Sequence, residues 1–227
     1  ITDPKLIVYE MEKAIYLAQT RRKGPVWIDI PLDIQNMRIN PDELDHFNVE
    51  NDKDYSPSKE DIKYVSELLK NSERPVVLIG SGIRSSDAVN EIELMQEKYK
   101  IPITYAASAP DIYGPSNALS IGSVGIMGCS RAGNFTIQNS DFLLVLGCRL
   151  SSMTTGDPCK FARDAKVVVV DIDPVEHSKN AVKIDRLIVS DVKNFLVSMT
   201  KEGNKETSEK WQKKCLHWKN IFPKCEE

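Results

Sequence analysis

Lys166-Val167-Val168-Val169-Val170-Asp171-Ile172-Asp173 decides the fold of this chain. Four consecutive valines leave no polar position in the run, so a strand here is apolar on both faces. Such a strand belongs in a sheet covered on both sides. The same signature recurs upstream: Pro75 to Gly80 (PVVLIG) and Phe142 to Leu146 (FLLVL) are apolar throughout, and Ile103 to Ala106 is a shorter case. Arg186 to Ser190 is a last, short strand. Between them run helical patterns: Ile62, Val65, Leu68 and Leu69; Ala88, Ile92, Met95 and Tyr99; Arg131 to Asn139. Val192, Phe195, Leu196 and Met199 continue the series after the final strand. Fully apolar strands alternating with amphipathic helices predict an α/β fold: a Rossmann-like, doubly wound parallel sheet with right-handed crossovers over residues 58–200.

The flanks read differently. Asp3-Pro4 is an N-cap followed by proline at the first helical position, and Ile7, Met11, Ala14, Ile15 and Ala18 recur at helical spacing. Arg21-Arg22-Lys23 closes that helix, where cations complement the dipole. A short strand, Val26 to Pro31, follows and stops at the proline. Leu32 to Tyr55 then lacks periodicity and is too long for an ordinary loop. The expected organisation is therefore a 1–35 tail of a domain whose body lies upstream, a linker over 36–57, the 58–200 domain, and a final segment over 201–227. In that last segment Lys201 to Ser208, with Gly203 and Asn204, is polar. Trp211, Cys215, Trp218 and Phe222 then form a stripe on one helical face. The Trp-bearing helix and the first helix are both expected to pack against domains outside this chain.

Composition excludes several functions. At 227 residues with a net charge of -3, the chain has no basic field to hold a nucleic-acid backbone. No run of about 18 apolar residues offers a membrane span, and the N-terminal stretch reads as a helix rather than a signal peptide. Five widely spaced cysteines, Cys129, Cys148, Cys159, Cys215 and Cys225, point to reduced thiols in the cytoplasm. His46, His177 and His217 have no cysteine at zinc-site spacing, so no metal site is expected within the chain.

Ligands of a doubly wound sheet bind at the carboxyl ends of its strands. Gly80-Ser81-Gly82 turns from strand to helix, which suits either a phosphate at backbone N–H groups or simply tight packing. Ser85 stands where a G-x-G-x-x-G motif needs its third glycine. Gly122 to Gly128, with Gly125, Met127 and Gly128 at its end, reads as a glycine-rich loop before a helix, open to a flat or phosphorylated ligand or merely a connector. Gly147-Cys148-Arg149 ends a buried strand with a cation suited to phosphate or to a carboxylate on the rim. Asp171-Ile172-Asp173 ends the valine strand where a carboxylate can bind ribose, and a Mg²⁺ shared by its two aspartates is the rival reading not adopted. Asp191 is a helix cap and His177 a solvated residue at a helix start. No nucleophile or acid–base pair emerges, so no catalytic residue is assigned.

Three of these stretches, taken in order, resemble thiamine-diphosphate-dependent enzymes of the acetolactate synthase type. GPVWIDIPLDIQ (24–35) is similar to the G-P-V-x-x-D-I-P-x-D-x-Q end of that family's pyrimidine-binding domain. NSDFLLVLGCRL (139–150) resembles N-A-D-x-x-x-x-x-G-x-R, and KFARDAKVVVVDIDPVEHSKN (160–180) resembles its K-F-A-P…D-I-D-P-x-E-x-x-K-N segment. The resemblance covers about residues 1 to 195. It implies the tail of a pyrimidine-binding domain, a linker and a whole central domain, in a parent acting on a 2-keto acid such as pyruvate as a homodimer or homotetramer. It also implies thiamine diphosphate and Mg²⁺ held outside this chain, because the glutamate and G-D-G…N motif that serve them are absent, and hence no turnover by the chain alone. The central domain would hold the adenine dinucleotide half of FAD, or ADP, through Gly80, Ser81, Gly82, Gly125, Met127, Gly128, Gly147, Cys148, Arg149, Asp171, Ile172 and Asp173. Two motifs depart from the pattern: G-M-H-G reads Gly125-Ile126-Met127-Gly128, and G-A-R-F-D-D-R ends in Ser151, Ser152 and Met153. The alternatives are a free-standing nucleotide-binding module and a non-catalytic scaffold domain.

Overall fold

The structure is a computed structural model that describes residues 1–49, 55–179, 181–203 and 206–222. Asn180, Asn204 and Cys225, which the sequence reading used, lie outside them. The chain divides into two compact units, 1–54 and 55–227.

In the smaller unit, the Asp3 side chain accepts a hydrogen bond from the Lys5 N–H and caps a 3-10 turn, Pro4–Leu6, that leads into helix α1, Ile7–Gln19. The expected strand at 26–31 does not form: no ladder assigns these residues to a sheet, and Trp27 is 93% exposed. A strand needs a neighbour for its backbone N–H and C=O groups, and none pairs with 26–31 among the described residues of this unit. A one-turn helix α2, Leu32–Gln35, follows. Residues further on dock onto α1. The Glu12 carboxylate pairs with the His46 ring at 2.8 Å and accepts from the Phe47 N–H, also at 2.8 Å. The Phe47 ring sits against Tyr9 and Tyr16.

The larger unit opens on helix α3, Lys59–Asn71, where Ser58 and Asp61 form a capping box. Then come β1 (Pro75–Ile79), α4 (Gly82–Ser85), α5 (Val89–Tyr99), β2 (Ile103–Ala106), β3 (Ser120–Val124) and α6 (Arg131–Gln138). The chain continues through β4 (Phe142–Leu146), α7 (Ser152–Thr155), β5 (Lys166–Asp171), β6 (Arg186–Val189), α8 (Val192–Met199) and α9 (Glu209–Ile221). All six strands are parallel, in the order β3-β2-β1-β4-β5-β6. This is the doubly wound α/β fold expected from the sequence. The direction of winding reverses between β1 and β4.

The valine-rich strands divide their side chains with period two. Val77, Ile79, Leu144, Leu146, Val168 and Val170 face a core with residues of α3, α5 and α8. Val76, Leu78, Leu143, Val145, Val167 and Val169 face a second core with residues of α6 and α9. Each such side chain contributes roughly 1.5–3 kcal/mol by leaving water, which is why no position in these runs tolerates a polar residue.

Two details differ from the sequence reading. Gly122 lies within β3, an edge strand, rather than in a loop; the stretch SIGSV lacks the continuous apolar run that marks the central strands. The Trp stripe of α9 packs onto its own sheet, with Trp211, Cys215 and Trp218 all buried in the second core. The Trp211 indole donates to the Pro75 carbonyl at 3.0 Å, and Phe135 of α6 stacks on Trp218 and Phe222. The stripe thus finds its partner in the sheet face left open by a single helix, α6. The Lys219 ammonium ties the far end of α9 to the carbonyls of Pro115, Asn117 and Ala118.

Candidate functional site

The carboxyl ends of β1 and β4 meet at the reversal point, and glycines let their backbones touch. The Gly80 N–H donates to Leu146 O and the Gly82 N–H to Gly147 O, both at 3.0 Å. A Cβ on Gly80 would lie 2.3 Å from Gly147 O, and one on Gly82 would lie 2.5 Å from Gly147 Cα. Close packing therefore accounts for all three glycines and occupies two of the N–H groups that a phosphate would use. Ser81 between them is exposed.

Beyond Gly147 the chain carries Cys148 inward and Arg149 outward. Burial pushes the Cys148 thiol up to about 11, and the Asp171 charge adds to it, against the Leu150 N–H and Arg149. The thiol stays protonated near neutral pH and is no nucleophile. Arg149 is exposed, and its guanidinium makes no hydrogen bond or ion pair among the described residues. Its backbone setting is unusual: Gly147 has φ 55°, and Leu150, a buried residue, has φ 50°. A leucine in the left-handed region costs about 1–2 kcal/mol, and such outliers concentrate where a side chain must be presented in one direction.

The glycine-rich segment after β3 is held from α6. Asn134 clamps Gly125 on both sides, its Oδ1 accepting from the Gly125 N–H at 3.1 Å and its Nδ2 donating to Gly125 O at 2.9 Å. The Ile126 N–H donates to Met153 O at 3.0 Å. These contacts push Ile126 and Met127 out into solvent, 58% and 70% exposed. Gly128 and the N-terminal residues of α6, Ser130 and Arg131, line a cavity of about 730 Å³ together with Tyr105, Ser123 and Phe222. Arg149 and Asp171 do not line it.

At the end of β5, Asp171 is turned inward. One oxygen accepts from the Asp173 N–H at 3.0 Å, and the other lies 3.3 Å from Nε2 of His177. That second contact is not an aligned hydrogen bond, and Nε2 has no hydrogen-bond partner among the described residues. His177 is therefore buried and not a solvated helix-start residue; the 3-10 turn Glu176–Lys179 folds its ring against Asp171. The Asp173 carboxylate accepts from the N–H groups of Val175 and Glu176, so it caps that turn, and Ile172 between the aspartates is half-buried. Asp191 caps α8 as expected, accepting from the N–H groups of Lys193 and Asn194. Among the described residues no group of three His, Cys, Asp or Glu side chains converges on a metal position, and no helix is long and apolar enough to cross a membrane.

The reading of the sequence missed Asn134 and Leu150. An asparagine inside a helix and a leucine after a strand carry no local signal, because their roles arise from what the fold brings opposite them.

Sheet order and the glycine-tied reversal point define a Rossmann-like domain. Residues 62–199 match the family model of the central domain of thiamine pyrophosphate enzymes, and the chain belongs to that family. The chain is 36% identical over 203 residues to the probable acetolactate synthase large subunit of Methanocaldococcus jannaschii, covering 86% of this chain and 34% of that protein. It is 32% identical over 238 residues to the acetolactate synthase large subunit of Cyanidium caldarium, covering 98% and 40%. The corresponding protein of Corynebacterium glutamicum is 32% identical over 216 residues, covering 92% and 34%. The chain thus spans between a third and two fifths of the length of these relatives.

Proposed function

We infer that this chain forms the central region of an acetolactate-synthase-like carboligase or decarboxylase, which acts on a 2-keto acid such as pyruvate and assembles as a homodimer or homotetramer in the cytoplasm. In this reading thiamine diphosphate and Mg²⁺ are held by parts of the protein outside residues 1–227, and the chain alone does not turn over. Its own task is to hold the adenine nucleotide half of FAD, or ADP, at the carboxyl edge of the sheet. One observation carries this: Arg149 stands exposed and unengaged at the end of β4, presented between two residues in the left-handed region. An arginine so placed suits a pyrophosphate, which its planar fork meets with two parallel hydrogen bonds. Gly128 adds an open backbone nearby in sequence to the Ser130 cap, with nothing within 4 Å of where a Cβ would stand.

A specific feature favours a second reading, a scaffold domain without a ligand. The Gly80 and Gly82 N–H groups are already bonded across the reversal point, and Asp171 faces His177 rather than solvent. Titration separates the two. A bound nucleotide at a hundredfold excess over its Kd stabilises the fold by about 2.7 kcal/mol, raising the melting temperature by several degrees. The nucleotide reading expects that rise with ADP or FAD, and expects Arg149→Ala to weaken binding about tenfold with the unliganded melting temperature unchanged. No rise with either ligand supports the scaffold.

A further inference from the structure

The opposite end of the sheet holds a second concave feature. Residues preceding β1 and β4, among them Ser72, Arg74 and Asn139, form one wall of a groove of about 940 Å³, and α9 forms the other. That volume falls within the range of small-molecule sites, roughly 300–1,000 Å³. On α9 the groove is lined by Lys210, Lys213, Lys214 and His217, successive turns of one face flanking the buried Trp stripe. Arg74 faces the groove with them, so four permanent cations meet two carboxylates, Glu73 and Glu206.

Those cations are not neutralised in the way a solvated lysine face usually is. Lys213 has its carboxylate in Glu209, at 2.9 Å. Glu206 is drawn away by Lys100, also at 2.9 Å, and Glu73 lies 3.9 Å from Arg74. Lys210 and Lys214 have no carboxylate within 4.0 Å among the described residues, and Lys214 rests over the Trp218 ring instead. A chain whose net charge is -3 therefore concentrates uncompensated positive charge in a hollow. Lysine ammonium groups act on phosphate as point charges, and two of them one helical turn apart, about 6 Å of rise, are better spanned by linked phosphates than by a single one.

We propose that this groove, between α9 and the amino-terminal ends of β1 and β4, binds a small molecule carrying a pyrophosphate group. The site is separate from Arg149, which lies at the other end of the same strands. Ser208 lines it as a hydroxyl donor, Ser72 gives its own proton to the Asp141 carboxylate, and Trp211 and Trp218 form its buried side.

Two of the three tryptophans thus report on the groove, and Trp27 belongs to the other unit. The test uses the whole chain carrying Trp27→Phe, titrated with inorganic pyrophosphate while tryptophan emission is followed, against sodium chloride of equal ionic strength. The expected result is a saturable change with pyrophosphate and none with chloride. A Lys210→Gln/Lys214→Gln variant should weaken it about tenfold or more, Lys210→Arg/Lys214→Arg should retain it, and Arg149→Ala should leave it unchanged. Repeating the titration with ADP in the Arg149→Ala background shows whether a nucleoside diphosphate enters by the same group; saturation there, lost with the Lys→Gln pair, assigns that source, and its absence assigns the free ion. A response no larger than that of chloride, one that survives the Lys→Gln pair, or one that vanishes with Arg149→Ala would overturn the proposal.

Discussion

Glycine at position 80 is dictated by backbone contact. A methyl group there would stand 2.3 Å from Gly147 O and 2.6 Å from Cys148 Cα, atoms that move only with the strand itself. Gly80→Ala should accordingly destabilise the larger unit by about 3 kcal/mol, read as a lowered urea midpoint; an unchanged midpoint would show that the β1–β4 crossing is looser than described. The buried thiols give a pH dependence with a definite sign. Burial raises Cys148 to about 11 and Cys215 to about 12, so the folded state holds these protons more tightly than the unfolded chain. Their stabilising effect is complete below the ordinary thiol range, about 8.5, and is lost as pH rises through 11 and 12. Urea midpoints should be flat approaching that range from neutral pH and fall beyond it. Within the same neutral range, a thiol reagent should modify exposed Cys159 and leave Cys148 and Cys215 intact.

Among the elements, α9 departs furthest from what its sequence implies. Its stripe of Trp211, Cys215 and Trp218 was legible as a buried helical face, but the stripe alone does not say what buries it. The answer lies in the second core, where α6 and α9 share one side of the sheet. Trp211→Ala should therefore cost roughly 3–5 kcal/mol in the larger unit, since it removes a buried ring and the indole bond to Pro75 O together. A loss under about 1 kcal/mol would mean that the helix is only loosely attached. The central strands were readable because each is apolar on both faces, and the valines of β5 left no other assignment. Edge strand β3 was not, because Gly122 and Ser123 resemble a loop until a neighbouring strand supplies the ladder. The segment 26–31 failed in the opposite sense: its residues favour a strand, but no neighbour pairs with it among the described residues of its unit. The candidate site was legible to the same extent. Arg149 and the glycine turns announced the carboxyl edge, whereas the Asn134 clamp, the inward turn of Asp171 and the burial of His177 depend on contacts between residues distant in sequence or on a tight turn's direction.

For the molecule as a whole, the proposed function gives the larger unit a holding task at one edge of its six-stranded sheet, with bond-making outside residues 1–227. Stability and binding are separated in that design. The two cores maintain the sheet whether or not a ligand is present, while Arg149 and the loop at 125–128 contribute little to them. Amide hydrogen exchange of the whole chain with and without ADP tests this most directly. The nucleotide reading predicts the strongest slowing at 147–150 and 125–128, beyond the uniform slowing that a stabilisation of about 2.7 kcal/mol gives every amide exchanging through global unfolding. Exchange unaffected at both segments under saturating ADP would contradict it.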